Sequence, residues 1–370
     1  MTFVIGIIGL SFLVFFHELG HFLAAKTFGV KVEAFSVGMG PVLLRFLYGG
    51  TEFRLSLIPL GGYCAMKGEG DFQAAIEKGL KAIEGDKDSF YGTHPLKRLA
   101  IAFAGPFANF FFGFLAFFIV ALLGYEYYSA GTRVSMTDEV YPDINSPAHE
   151  AGMQSGDEIV SLNGTPVEDF AGIAEFVASR AEEVIRIEVL RDGQTFFFDV
   201  KTELDKESSL ARIGVASDPS SVTVRQYPKH GFFAACAEGI RQCCNIIVLT
   251  AKGVKVLFMG AKISNAVSGP ARMTSMLGSA VKDGFAAGAK TGIVSTLQFL
   301  ALLSVSLFLM NLLPVPILDG GLILFAFVEF IMRRKMHPKL LYYVQFVGIA
   351  FVVLLLILAV SSDAIYFLKK

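Results

Sequence analysis

Residues 99–123 contain no charged side chain, and three further stretches are nearly as apolar. A helix needs about 20 apolar residues to cross the hydrocarbon core of a bilayer. Inside lipid every backbone N–H and C=O must be satisfied within the structure, which leaves helices or closed barrels. The four stretches, about 3–25, 99–123, 292–313 and 341–360, predict a mainly α-helical polytopic membrane protein with four transmembrane helices. A shorter apolar run, 321–332, follows Pro314-Val315-Pro316 and reads as a continuation of the third span. The first stretch has no basic leader region and carries His17, Glu18 and His21, which argues for a retained span over a cleaved signal peptide.

Composition supports this reading. Hydrophobic residues make up 54% of the 370-residue chain and charged residues 18%, against about a quarter charged in a soluble domain. A net charge of −1 leaves no electrostatic footprint for nucleic acid. Orientation follows Lys and Arg near the span ends. Lys26 and Lys31 follow the first span, Lys97 and Arg98 precede the second, and Arg333, Arg334, Lys335 and Lys339 separate the last two. All three clusters fall on one side, expected to be the cytoplasm of a cell inner membrane. Both termini and the region from about 124 to 290 are then extracytoplasmic, with Lys369 and Lys370 a minor exception. The expected organisation is a first membrane part (1–124, with a membrane-associated hairpin at 35–66), an outer domain (125–216), an outer amphipathic helical region (217–290) and a second membrane part (291–370).

The first span contains His17-Glu18-Leu19-Gly20-His21. Residues four apart share a helix face, roughly 6 Å apart along the axis. Two imidazoles so placed can hold one Zn²⁺, with the intervening Glu as general base. A pair of polar histidines on a helix face is the plainer alternative. Ionisable groups inside a membrane helix are costly and mark functional sites by default. Counting back from Lys26 puts both imidazoles roughly 8–14 Å below the end of the helix.

A catalytic zinc takes three protein ligands and an open position. Asp319 is the candidate third ligand: an acid in apolar surroundings, directly after a double-proline break. Its alternative role is an N-cap for the helix that follows. Glu329 competes as a ligand but lies nearer the Arg333 cluster. A two-His, one-carboxylate set suits zinc and also resembles the non-haem iron triad.

HExxH in a first span, together with Asn311-Leu312-Leu313-Pro314-Val315-Pro316-Ile317-Leu318-Asp319-Gly320-Gly321 in a late one, resembles the site-2 protease family of intramembrane zinc metalloproteases. The resemblance implies zinc held by His17, His21 and Asp319, with Glu18 activating water. Gly105-Pro106-Phe107-Ala108-Asn109 is similar to the family's GPxxN element, which implies substrate-backbone contacts from Asn109 and Asn311; interhelical hydrogen bonding is the alternative. The implied substrate is a single-pass membrane protein, an anti-sigma factor or a signal-peptide remnant, cut in regulated intramembrane proteolysis.

Residues 42–57 read as a hairpin around Gly49-Gly50 on the cytoplasmic side. The resemblance implies a β-structure beside the active site, whose edge would accept a substrate strand; a plain cytoplasmic hairpin is the alternative. Residues 61–69 also follow the family pattern, and 71–88 read as a charged loop. In the outer region, Ser146-Pro147-Ala148, Ala151-Gly152-Met153, Gly156-Asp157 and Asn163-Gly164 resemble the core of an α+β PDZ domain. Strands at 185–190 and 195–200 joined by Asp192-Gly193 follow, and 212–215 closes the unit. There is room for one such domain, about 132–216, where sigma-E-type relatives can carry two. It would bind a peptide ligand or screen substrates by bulk. Residues 230–265 read as an interfacial or packed amphipathic helix, not a fifth span. Cys236, Cys243 and Cys244 share one helical face, which leaves free thiols or a disulfide open. Two other classes stand beside the protease: a catalytically silent scaffold recruiting partners through its PDZ domain, and a transporter, against which the lack of an internal repeat counts.

Overall fold

The computed structural model describes residues 2–80, 82–83, 85–141, 144–205, 210–258 and 268–368. Contacts divide the chain into two units: Met1–Leu123, His230–Ile247 and Gly269–Lys370 form one, and Gly124–Lys229 with Val248–Ser268 the other.

The first unit opens with α1 (Thr2–Phe28), then two long strands, β1 (Val32–Tyr48) and β2 (Thr51–Met66), a short α2 (Asp71–Glu77) and α3 (Pro95–Leu123). The strands are more than the expected hairpin. Phe35 pairs with Phe53 on one side and Cys64 on the other, so residues 32–37 lie between 52–55 and 62–66. Each strand bends back at glycines with positive φ, Gly38 and Gly40 in β1 and Gly61 in β2, a conformation that costs glycine little. The tip from Leu43 to Tyr48 leaves its apolar side chains exposed. Phe35 and Phe53 also pack on Phe22 of α1, tying the sheet to the helix.

Among the described residues, the second unit has ten strands: β3 (Tyr125–Ala130), β4 (Val134–Met136), β5 (Glu158–Leu162), β6 (Thr165–Pro166), β7 (Val184–Arg191), β8 (Gln194–Lys201), β9 (Glu203–Asp205), β10 (Leu210–Arg212), β11 (Val215–Ser217) and β12 (Val222–Tyr227). Helices α4 (Thr137–Val140), α5 (Pro147–Glu150) and α6 (Phe170–Ala178) lie between these strands in the sequence. A four-stranded sheet runs β6-β5-β7-β8. Ile185, Ile187 and Val189 alternate inward along β7, the period of a half-buried strand, and join Met153, Ile159, Leu162 and Ile173 in one core. Asp192 and Gly193 both have positive φ, as a two-residue hairpin turn of the matching twist requires. The unit does not end at 216: β12 pairs with β3 in register from Val222↔Ala130 to Tyr227↔Tyr125.

α7 (Phe232–Phe258) follows, then α8 (Pro270–Ala287), α9 (Ala289–Asn311), α10 (Asp319–Met332) and α11 (Pro338–Leu368). Among the described residues, five helices are long and apolar enough to cross a membrane: α1, α3, α9, α11 and the Phe232–Gly253 part of α7. The sequence reading expects four. The difference arises in α7, which carries Glu238, Arg241, Lys252 and Lys255; the first two pair with each other one turn apart. Its end at 259–265 lies outside the described residues. Cys243 and Ile246 of α7 pack with Val305 of α9 and Phe110, Phe114 and Phe117 of α3. All four cysteines are free thiols, so the disulfide option falls away. The 321–332 run is a helix of its own, separated from α9 by the double-proline turn.

Small residues let the membrane helices approach closely. A Cβ on Gly20 of α1 would strike the Ala104 carbonyl of α3, and one on Gly113 would meet Val305. The N-terminus of α8 is capped from a distance: buried Asp363 of α11 accepts the backbone N–H groups of Gly269, Ala271 and Arg272. Leaving such donors unsatisfied costs about 1–3 kcal/mol. Asp363→Ala should therefore lower thermal stability in detergent by an amount in that range, and Asp363→Asn by less. An unchanged melting curve for Asp363→Ala would remove this cap from the account.

Candidate metal centre

The sequence places His17 and His21 one turn apart on α1, and the fold brings Asp319 to them from α10. The Nε2 atoms of the two histidines are 3.2 Å apart. Asp319 Oδ2 lies 3.1 Å from His17 Nε2, and Oδ1 lies 3.3 Å from His21 Nε2. Tetrahedral zinc with bonds of 2.0–2.2 Å sets its donor atoms about 3.3–3.6 Å apart. The three donors thus already sit close to the edges of a zinc tetrahedron, and among the described residues they form the one group of this kind. Asp319 is the first residue of α10, and Leu318 occupies the cap position without a side-chain bond. Its carboxylate serves the histidines, not the helix end. The turn before it is possible because Gly320 and Gly321 lie against the Leu312, Leu313 and Val315 carbonyls, where a Cβ would not fit.

α3 orients the imidazoles from behind. His21 Nδ1 lies 2.8 Å from the Ile101 carbonyl, so Nδ1–H donates there and Nε2 keeps its lone pair for a metal. The His21 ring fills the space over Gly105, where a Cβ would overlap it. This gives the glycine of the GPxxN element a steric role. Asn109 Nδ2 is placed 3.2 Å from His17 Nδ1, while Asn109 Oδ1 is buried without a partner. Exchanging the amide O and N, which are alike in shape, lets Nδ1–H of His17 donate to Oδ1 and releases Nε2 for the metal. Asn311 Nδ2 lies 3.4 Å from the same Nδ1.

The two asparagines differ in access. Asn109 is 1% exposed, while Asn311 lines a cavity of about 400 Å³ over the site together with Glu18, Tyr63, Cys64, Glu69 and Ile317. The structure thus puts Asn109 behind His17, out of reach of a substrate, and Asn311 where the cavity opens. The side chains of His17 and Asp319 keep 12% and 13% exposure, so the donors face that cavity. The β2 backbone at Cys64 faces the Glu18 carboxylate. Glu69, in the turn after β2, was visible in the sequence only as part of a family pattern. Burial pushes its carboxyl up to about 7, and its Oε2 accepts the Met66 N–H. Glu329 is not a ligand. It forms a buried ion pair with Arg98 of α3, not with the Arg333 cluster, and also accepts the Met336 N–H.

Residues 5–355 match peptidase family M50. The chain belongs to that family. It covers nearly the whole length of relatives named as zinc metalloproteases. One from Treponema pallidum is 36% identical over 97% of this chain and 98% of its own. One from Campylobacter jejuni is 33% identical over 98% and 93%, and one from Rhizobium meliloti 32% over 96% and 94%. The M50 member described here is a metalloprotease, and zinc is the family's metal, which separates this donor set from the iron triad it also resembles.

Outer partners of metal-bound histidines typically contribute 10–100-fold in metal affinity. Asn109→Ala should lower zinc affinity by about that factor, while Asp319→Ala, which removes a donor, should lose stoichiometric zinc in purified protein. Full zinc occupancy in Asp319→Ala by elemental analysis would exclude Asp319 as the third ligand.

Proposed function

We propose that this metalloprotease hydrolyses a peptide bond within or beside the transmembrane segment of a single-pass membrane protein, as a step in regulated intramembrane proteolysis. The carrying observation is that the donors His17 and His21 lie in the middle of α1, a helix long and apolar enough to span, and converge there with Asp319. Zinc bound by these three residues would lower the pKa of water and polarise the scissile carbonyl.

The chain's own groups supply the rest. Glu18, lining the cavity beside the donors, takes the proton of the attacking water and delivers it to the departing amine. His21 is held by Ile101 and His17 by Asn109. Amides in an intact helix are hydrogen-bonded and shielded, so the substrate must unwind. Residues 62–66 form the edge of the folded-back sheet, and Tyr63, Cys64, Ala65 and Met66 line the same cavity. An unwound segment would add to that edge by strand pairing, with Asn311 within reach of its backbone.

The second unit is read as a single extracytoplasmic PDZ domain. Its Gly156-Asp157 turn is pinned by Arg191, 2.6 Å from the buried Asp157, and its core is its own. Every proposed catalytic and ligand residue belongs to the other unit, which leaves the PDZ domain a role in selection, by a peptide ligand or by excluding bulk. The basic clusters support a reading in which the ends of α1 and α10 and the starts of α3 and α11 face the cytoplasm across an inner membrane. The substrate is an anti-sigma factor or a signal-peptide remnant, already trimmed outside.

Glu18→Gln should abolish cleavage, by more than about a thousand-fold, while zinc content stays near one per chain; substantial turnover would sink Glu18 as the base. Replacing residues 131–221 by a short Gly/Ser linker keeps β3 and β12 able to pair. With folded amounts matched by zinc content, this variant should still cut a trimmed substrate and should lose its preference for trimmed over untrimmed ones. An unchanged preference would refute selection by this domain.

A further inference from the structure

A second cavity, of about 590 Å³, lies where α3 begins, α10 ends and the chain turns into α11. Four cations line it, Arg98, Arg333, Arg334 and Lys335, against one carboxylate, Glu329. That carboxylate is already committed on both oxygens, Oε2 to Arg98 and Oε1 to the Met336 N–H. Arg98 is 6% exposed, yet its Nε has no hydrogen-bond partner. Lys335 reaches the Ile83 carbonyl, 2.8 Å away, which neutralises none of its charge. Arg333 ends α10 in the left-handed conformation, φ 51°, a position usually given to glycine. The surplus is therefore positive, walled on one side by a buried guanidinium with a donor to spare.

The apolar side of the mouth is equally specific. Phe330, Ile331 and Met332 of the last α10 turn, with Leu96 of α3, are exposed beside the cations. A cationic cup bordered by exposed apolar side chains at the ends of membrane helices matches a molecule with a phosphate head and hydrocarbon tails. Basic pockets between membrane helices bind such headgroups, and guanidinium groups suit phosphate oxygens better than ammonium does. We infer that this cavity is a binding site for the headgroup of an anionic phospholipid. None of its cations is a ligand or a base in the proteolytic site.

The test uses the full-length zinc-bound protein in neutral detergent, titrated with phosphatidylglycerol or phosphatidylcholine and read by native mass spectrometry. The wild type should retain phosphatidylglycerol at least about ten-fold better. Arg333→Gln/Arg334→Gln should bring the two lipids near parity, because each cation near a lipid surface contributes about a factor of five. Both residues are exposed, so the variant should keep its zinc, and a Lys31→Gln/Arg45→Gln control, which removes equal charge elsewhere, should keep the lipid preference. Equal binding of the two lipids by the wild type would overturn the assignment, as would a preference that survives in the arginine variant. Displacement of the lipid by millimolar inorganic phosphate would also overturn it, marking a site for soluble anions.

Discussion

Two imidazoles and a carboxylate on apolar helices need polar partners, and the membrane unit is arranged around supplying them. Leaving any one of them unpaired in a low-dielectric setting would cost several kcal/mol. The requirement fixes helix order. α1 brings both histidines, α10 must start at the same depth to bring Asp319, and α3 must lie behind α1 so that Ile101 and Asn109 can face the ring nitrogens. Gly20 and Gly105 allow that approach, one by admitting the Ala104 carbonyl and the other by making room for the His21 ring. The packing and the chemistry are one constraint read from two sides.

The same logic appears away from the metal centre. Arg98 and Glu329, both nearly fully buried, join α3 to α10, and breaking such a pair by removing one partner typically costs about 3–5 kcal/mol. Asp363 joins α11 to the start of α8. Each of these contacts holds two membrane helices in one axial register, something apolar side chains packed in lipid do poorly, since hydrocarbon on a neighbouring helix and hydrocarbon in lipid are nearly equivalent.

Much of this was legible in the sequence, and the exceptions share a cause. Charge-free stretches announced the spans, and an i,i+4 histidine pair or an acid after two prolines is a local signal. Turn pairs such as Asp192-Gly193 are local too. What the sequence did not disclose depends on long-range pairing. Residues 32–37 are flanked on both sides because Gly38, Gly40 and Gly61 bend the strands, and nothing in the alternation of β2 marks that fold-back. β12 closes the second unit across some ninety intervening residues. The sequence leaves Asn109 open between a substrate contact and an interhelical hydrogen bond, and its burial beside His17 favours the second. Residues 230–265 read in the sequence as an interfacial or packed helix because lysines, Lys252 and Lys255 among them, are interspersed along it, whereas the Phe232–Gly253 stretch is long and apolar enough to cross.

The candidate ligands of the metal centre are drawn from widely separated parts of the chain: His17 and His21 lie within α1, and Asp319 begins α10. A ribosome threading this protein into a membrane therefore delivers the histidines well before the carboxylate. Until Asp319 emerges, the centre has two of its three donors, and α10 cannot yet contribute Glu329 to Arg98. α10 is thus the element that completes both the candidate donor set and the buried ion pair with α3.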